Sequence, residues 1–201
     1  MACAALRLSG CCKISPSDSI STLILTLSPS PCRAHALSAA WLRVIVDLEM
    51  ELKTEILFAN FDFPIILKGK VDRIDVFNNQ HRIIDYKTGK VTVTDLKLNN
   101  FENVGNNEKK SKAMQLLLYA YMYLKQEKNT HLSSVECVNI SFKNLNEGFI
   151  KVNISEETRG KDYEITLEKL TPFMDEIEKL ITEILDPDIP FIEKQPEYLL
   201  R

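Results

Sequence analysis

The stretch from Leu67 to Lys90, LKGKVDRIDVFNNQHRIIDYKTGK, constrains this chain more than any other. Two strand-like runs, Ile65 to Phe77 and His81 to Lys87, flank Asn78-Asn79. Asparagine tolerates the positive φ that a tight hairpin turn demands. If those two residues form the turn, Phe77 pairs with Gln80, Asp72 falls opposite Asp85, and Lys70 opposite Lys87. Directly opposed Cβ atoms stand about 5 Å apart. Side chains alternate along a strand, so these four share a face with Ile74, Val76 and Ile83, whose apolar end belongs on a core.

Two carboxylates opposed on a core-facing surface repel each other and lose hydration, which is unfavourable unless a proton or cation lies between them. Magnesium takes carboxylate oxygens as ligands, and the backbone carbonyl of Tyr86 could complete its shell. Lys87, two residues after Asp85, projects from the same face, where an ammonium could orient a water nucleophile or offset charge on a phosphate. These parts suit metal-assisted hydrolysis of a phosphodiester. The same charges also fit diagonal ion pairs on a solvated hairpin, which stabilise little, and spacing alone does not separate the two. Asp75 falls on the opposite strand face, as a structural partner for Arg73 or Arg82.

Around this hairpin the pattern predicts one α/β (α+β) domain over residues 39–201, a mixed central sheet flanked by helices. A helix is expected from Trp41 to Glu51 and a short strand from Thr54 to Phe58. Lys110 to Gln126 is a helix with Ala113, Leu116, Leu117, Ala120, Tyr121 and Leu124 on one face. Val135 to Phe142 and Phe149 to Ile154 read as a strand pair. Thr166 to Leu185 is a second amphipathic helix, ended by Asp186-Pro187. Residues 1–38 differ in composition: rich in Ser, Ala, Cys, Leu and Pro, with Asp18 their only acidic residue. They are expected to be a poorly structured or foreign leader, with a signal or transit peptide as the other possibility. The apolar run Ile20 to Leu27 is too short to span a bilayer, so no membrane is expected as a partner.

Composition narrows function without choosing it. At 201 residues, 45% apolar and 26% charged, the chain reads as soluble and globular. A net charge of −3 gives no global attraction to nucleic acid, so any DNA contact must come from a metal, a partner or a local patch such as Lys109, Lys110 and Lys112. Cys3, Cys11, Cys12, Cys32 and Cys137 include no C-x-x-C pair, which points to neither a disulfide framework nor a zinc site and suits a reducing, cytoplasmic setting. No G-x-x-x-x-G-K-[ST] sequence is present, so the chain is not itself a helicase motor.

The run Gly69-Lys70-Val71-Asp72-Arg73-Ile74-Asp75, then Asp85-Tyr86-Lys87-Thr88-Gly89, followed by Gln115 and Tyr119 in a Q-x-x-x-Y spacing, resembles the PD-(D/E)xK nuclease superfamily. The likeness is to the RecB-like and AddB-like nuclease domains of bacterial helicase–nuclease systems, over about Glu51 to Phe142. It implies a restriction-endonuclease-like core and a metal-dependent deoxyribonuclease, exonuclease or endonuclease, acting in DNA repair or recombination. Catalytic residues would be Asp72, Asp85 and Lys87. Mg2+, or Mn2+, would be held by Asp72, Asp85 and Tyr86. Gln115 and Tyr119, one turn apart, would support the site or touch the DNA backbone, unless they are ordinary helix packing. The partners would be DNA and a helicase subunit or domain. Related domains add a Glu or His from an upstream helix; here His35, Glu49, Glu51 and Glu55 are available, with Glu49 the best placed. With no cysteine after Cys137, no iron–sulfur cluster is expected. Two other possibilities stay open: a catalytically incomplete module that keeps the fold as a DNA- or protein-binding scaffold, and an unrelated α/β protein whose hairpin charges are surface pairs.

Overall fold

The structure, a computed structural model, describes residues 43–191 apart from Asn103, Glu156 and Thr158. The expected leader, with His35 and all cysteines but Cys137, lies outside the described residues. Five strands form one mixed sheet in the order β1-β2-β3-β4-β5: β1 is Arg43–Ile56, β2 Ile65–Phe77, β3 Gln80–Lys87, β4 Glu136–Ser141 and β5 Ile150–Lys151. The first three pair antiparallel, β3 and β4 are parallel, and β4 and β5 are antiparallel. Helix α1, Ser111–Leu124, lies in the connection between the parallel pair, and α2, Leu167–Leu185, follows β5. The α/β class and the mixed sheet with flanking helices are as expected. Among the described residues no helix is long and apolar enough to cross a membrane.

The helix expected from Trp41 to Glu51 is overturned. Arg43–Ile56 is instead one continuous edge strand, which also absorbs the short strand expected after it. Val44, Ile45 and Val46 are β-branched, restricting χ1 in a way that suits a pleated surface better than a helix. Pairing with β2 along the whole of β1 decides the matter. The strand is irregular, with a register shift between Ile45 and Asp47 and a positive φ of 55° at Glu49, as edge strands commonly are.

The hairpin turn is as the two asparagines require, with φ of 51° at Asn78 and 62° at Asn79, the signature of a type I′ turn. Phe77 pairs with Gln80 and the ladder runs in the expected register as far as Arg73 and Ile84. There it stops, one pair short of Asp72 and Asp85. Val71 and Ile74 both belong to one apolar core, which strict alternation does not give to residues three apart, so β2 changes facing between them. Lys70 therefore does not face Lys87; its ammonium lies 2.6 Å from Glu49 on exposed ground.

Helix α1 buries Ala113, Leu116, Leu117 and Ala120 against the sheet, and the Cys137 thiol of β4 donates to the Leu116 carbonyl at 3.4 Å. Gly69 lets the helix approach closely: a Cβ there would stand 2.6 Å from Tyr119 Cε1 and 2.9 Å from Met122 Cε. Helix α2 starts at Thr166, whose hydroxyl accepts from Lys169 N at 3.2 Å, a side-chain cap that satisfies one otherwise unpaired amide. It buries Leu170, Phe173, Met174 and Ile177 in the same core.

Candidate active site

The middle of β2, the end of β3, the facing side of α1 and the middle of β4 converge on one group of polar side chains. Asp85 is 4% exposed, next to Asn139, which is wholly buried. Oδ2 of Asp85 lies 2.8 Å from the Lys87 ammonium and accepts from Asn139 Nδ2 at 2.9 Å. Lys87 also donates to Gln115 Oε1 at 2.6 Å, and Gln115 Nε2 to the Tyr119 hydroxyl at 2.9 Å. The i, i+4 spacing of Gln115 and Tyr119 thus becomes one hydrogen-bonded chain from strand to helix. Tyr119 both packs and connects, since it is 9% exposed and sits over Gly69.

Asp72 ends the β2–β3 ladder with its side chain: Oδ2 accepts from Tyr86 N at 2.7 Å, where a backbone carbonyl would otherwise bond. This holds its carboxylate beside the strand that carries Asp85 and Lys87. Burial, above all, pushes the Asp85 carboxyl above the ordinary carboxylate range; Lys87 and Asn139 oppose the shift and the charge of Asp72 adds to it. A buried carboxylate whose ionisation a second carboxylate makes costlier is an environment that a cation relieves.

Among the described residues no group of three or more His, Cys, Asp or Glu side chains is placed to hold a metal ion. Glu49, the best upstream candidate from the sequence, is brought opposite Asp72 by the register, between the pairs Leu48–Arg73 and Met50–Val71. Its carboxylate turns away to Lys70. The donors that remain are two carboxylates and backbone oxygen. They suit a hard divalent ion that keeps several waters and completes its shell on substrate phosphate, as magnesium does.

On the other sheet face Asp75 is fully buried and binds both arginines between which the sequence could not choose. It pairs with Arg73, with Arg82 at 2.7 Å and with Arg43 at 3.8 Å. This is a structural cluster set apart from Asp85. Lys110, just ahead of α1, and Lys112, in its first turn, are drawn into local contacts. Lys110 donates to the carbonyls of Thr94 and Lys97, each at 2.6 Å, and Lys112 pairs with Asp95 at 3.3 Å.

Sequence inspection missed Asn139. An asparagine in a strand carries no motif, and only the parallel pairing of Asp85 with Asn139 gives it a place.

The family model of the PD-(D/E)XK nuclease superfamily matches residues 29–196. None of the curated proteins matches the chain. A solved structure described as "Crystal structure of SSO0001" is similar at 14% identity and a TM-score of 0.35, over 72% of this chain and 62% of that one. The family match takes in every strand, both helices and the whole hairpin site, and the chain belongs to the PD-(D/E)XK nuclease superfamily.

Proposed function

We propose that this chain is a metal-dependent DNA nuclease module serving DNA repair or recombination, with Asp72, Asp85 and Lys87 as its catalytic residues. The observation that carries it is the connected set Asp85–Lys87–Gln115–Tyr119, joined at 2.8, 2.6 and 2.9 Å with the Asp72 carboxylate alongside. Asp72, Asp85 and the Tyr86 carbonyl would hold Mg2+, or Mn2+. When bound, such an ion polarises a phosphate oxygen and lowers the pKa of coordinated water. Lys87 supplies a positive charge aimed at the attacking water and the phosphate. Gln115 fixes that ammonium, and Tyr119 fixes Gln115. The resemblance to helicase–nuclease systems makes a helicase subunit or domain the proposed partner, and the cysteine usage suits a cytoplasmic setting.

The test is cleavage of linear single- and double-stranded DNA with Mg2+, Mn2+ or EDTA, alongside Asp85→Ala and Lys87→Ala. Metal-dependent cleavage that disappears in both variants supports the proposal; cleavage that survives in either sinks it. A non-catalytic role, as a scaffold for DNA or protein, is favoured by one observation: no third acidic or imidazole ligand joins Asp72 and Asp85 among the described residues. A well-folded wild-type chain that binds DNA and never cuts it would establish that role.

A further inference from the structure

We infer that Asn139 is a positioning residue that aims the Asp85 carboxylate for metal binding, an inference that rests on the nuclease proposal above. Asn139 lies across the parallel β3–β4 pair from Asp85 and is wholly buried. Its amide donates twice to one residue, to Asp85 Oδ2 at 2.9 Å and to the Asp85 backbone carbonyl at 3.2 Å. Bridging backbone and carboxylate of the same residue leaves Asp85 one side-chain orientation. The other end of the amide is spent on nothing: Oδ1 of Asn139 is buried and accepts no hydrogen bond.

That orphaned acceptor sets a cost on placing an amide here. A buried carbonyl oxygen without a donor destabilises the fold by its lost hydration, and a leucine of similar size would not carry that penalty. In a strand whose neighbours Cys137 and Val138 are also fully buried, a leucine would remove that cost but would take both donors from Asp85. What a leucine cannot do is hold Asp85. Residues that orient metal ligands through hydrogen bonds typically contribute roughly 10–100-fold in metal affinity.

The experiment is Mn2+ titration of the full chain by calorimetry, comparing wild type with Asn139→Leu, together with thermal unfolding in EDTA. The expected result is Mn2+ binding roughly 10–100-fold weaker in the variant, with a lower unfolding midpoint in EDTA because the buried Asp85 loses two donors. Cleavage by the variant should recover as Mn2+ is raised, so the loss lies in metal affinity rather than in turnover. If Asn139→Leu does not fold, Asn139→Ser takes its place, because the serine hydroxyl is too short to reach Asp85 Oδ2 and the same weakening is expected. A folded variant that binds Mn2+ as tightly as wild type overturns the role of Asn139 alone. A wild type that binds no Mn2+ overturns the metal centre, and this inference with it.

Discussion

The ammonium of Lys87 lies 2.8 Å from Oδ2 of Asp85, two positions earlier on the same strand. Without a metal, the lysine neutralises the carboxylate that a metal would bind. Lys87→Ala should therefore lower stability in EDTA by about 1–3 kcal/mol, the worth of a hydrogen bond to a charged group. Mn2+ should restore that loss, because binding to the folded state alone stabilises it. Cleavage should fall by roughly 100-fold or more, the scale seen when one aimed electrostatic group is removed. Urea unfolding with and without Mn2+ checks the first two, and a variant as stable as wild type in EDTA would refute them.

Asp72 and Asp75 are three residues apart, and their removal should have opposite profiles. Asp75→Ala strands Arg73 and Arg82, whose side chains are 15% and 5% exposed, and should destabilise by about 3–5 kcal/mol. Asp72→Ala gives up its bond to Tyr86 N while relieving repulsion with Asp85, and should cost about 1 kcal/mol. Denaturant midpoints of the two variants, read beside their Mn2+ affinities, test the division; a larger stability loss in Asp72→Ala would reverse it.

Gly69 makes room for the helix that holds Lys87 through Gln115. Gly69→Ala forces a methyl to within 2.6 Å of the Tyr119 ring, overpacking that typically costs about 1–3 kcal/mol. Because Tyr119 must shift, its bond to Gln115 should loosen and cleavage should drop together with the melting temperature. Measuring both in one preparation is decisive, and unchanged activity would show that the Tyr119 hydroxyl does not support Lys87.

Acid sensitivity should carry a contribution from His81, whose ring nitrogen lies 3.0 Å from the Tyr123 hydroxyl. Burial, first, and then the charge of His131 hold its imidazole below the ordinary histidine range. Protonation accordingly favours the unfolded chain. The stability is complete above the unfolded value, near pH 6.5, and is lost as the pH falls through it toward the folded one. Between about pH 7 and pH 5 the unfolding midpoint of wild type should drop further than that of His81→Gln. Equal drops would leave acid sensitivity to the carboxylates.

The hairpin was legible because two adjacent asparagines fixed the turn and every pair down to Arg73–Ile84 followed by counting. Counting failed at Asp72, where a side chain replaces a backbone acceptor, an event with no signal in an alternating pattern. Arg43–Ile56 was misread at its start because a short apolar set such as Leu42, Val46 and Leu48 sits at roughly helical spacing in the sequence, and only the partner strand decides. The connection of Lys87 to Gln115 and Tyr119 was half visible, as a spacing whose partner could not be named. Asn139 was invisible, for its meaning lies in a residue 54 positions away.

That distance also governs when the site can exist. The hairpin of β2 and β3 closes through a two-residue turn, so Asp72, Asp85 and Lys87 are neighbours early in folding. Asn139 reaches them only after α1 has formed and β4 has docked parallel to β3, a non-local contact that closes late because a long loop must first be brought together. A chain emerging from the ribosome thus exposes both carboxylates and the lysine well before β4 is made. The proposed site is complete only once β4 has joined the sheet, so any metal-dependent activity would follow synthesis of the crossover.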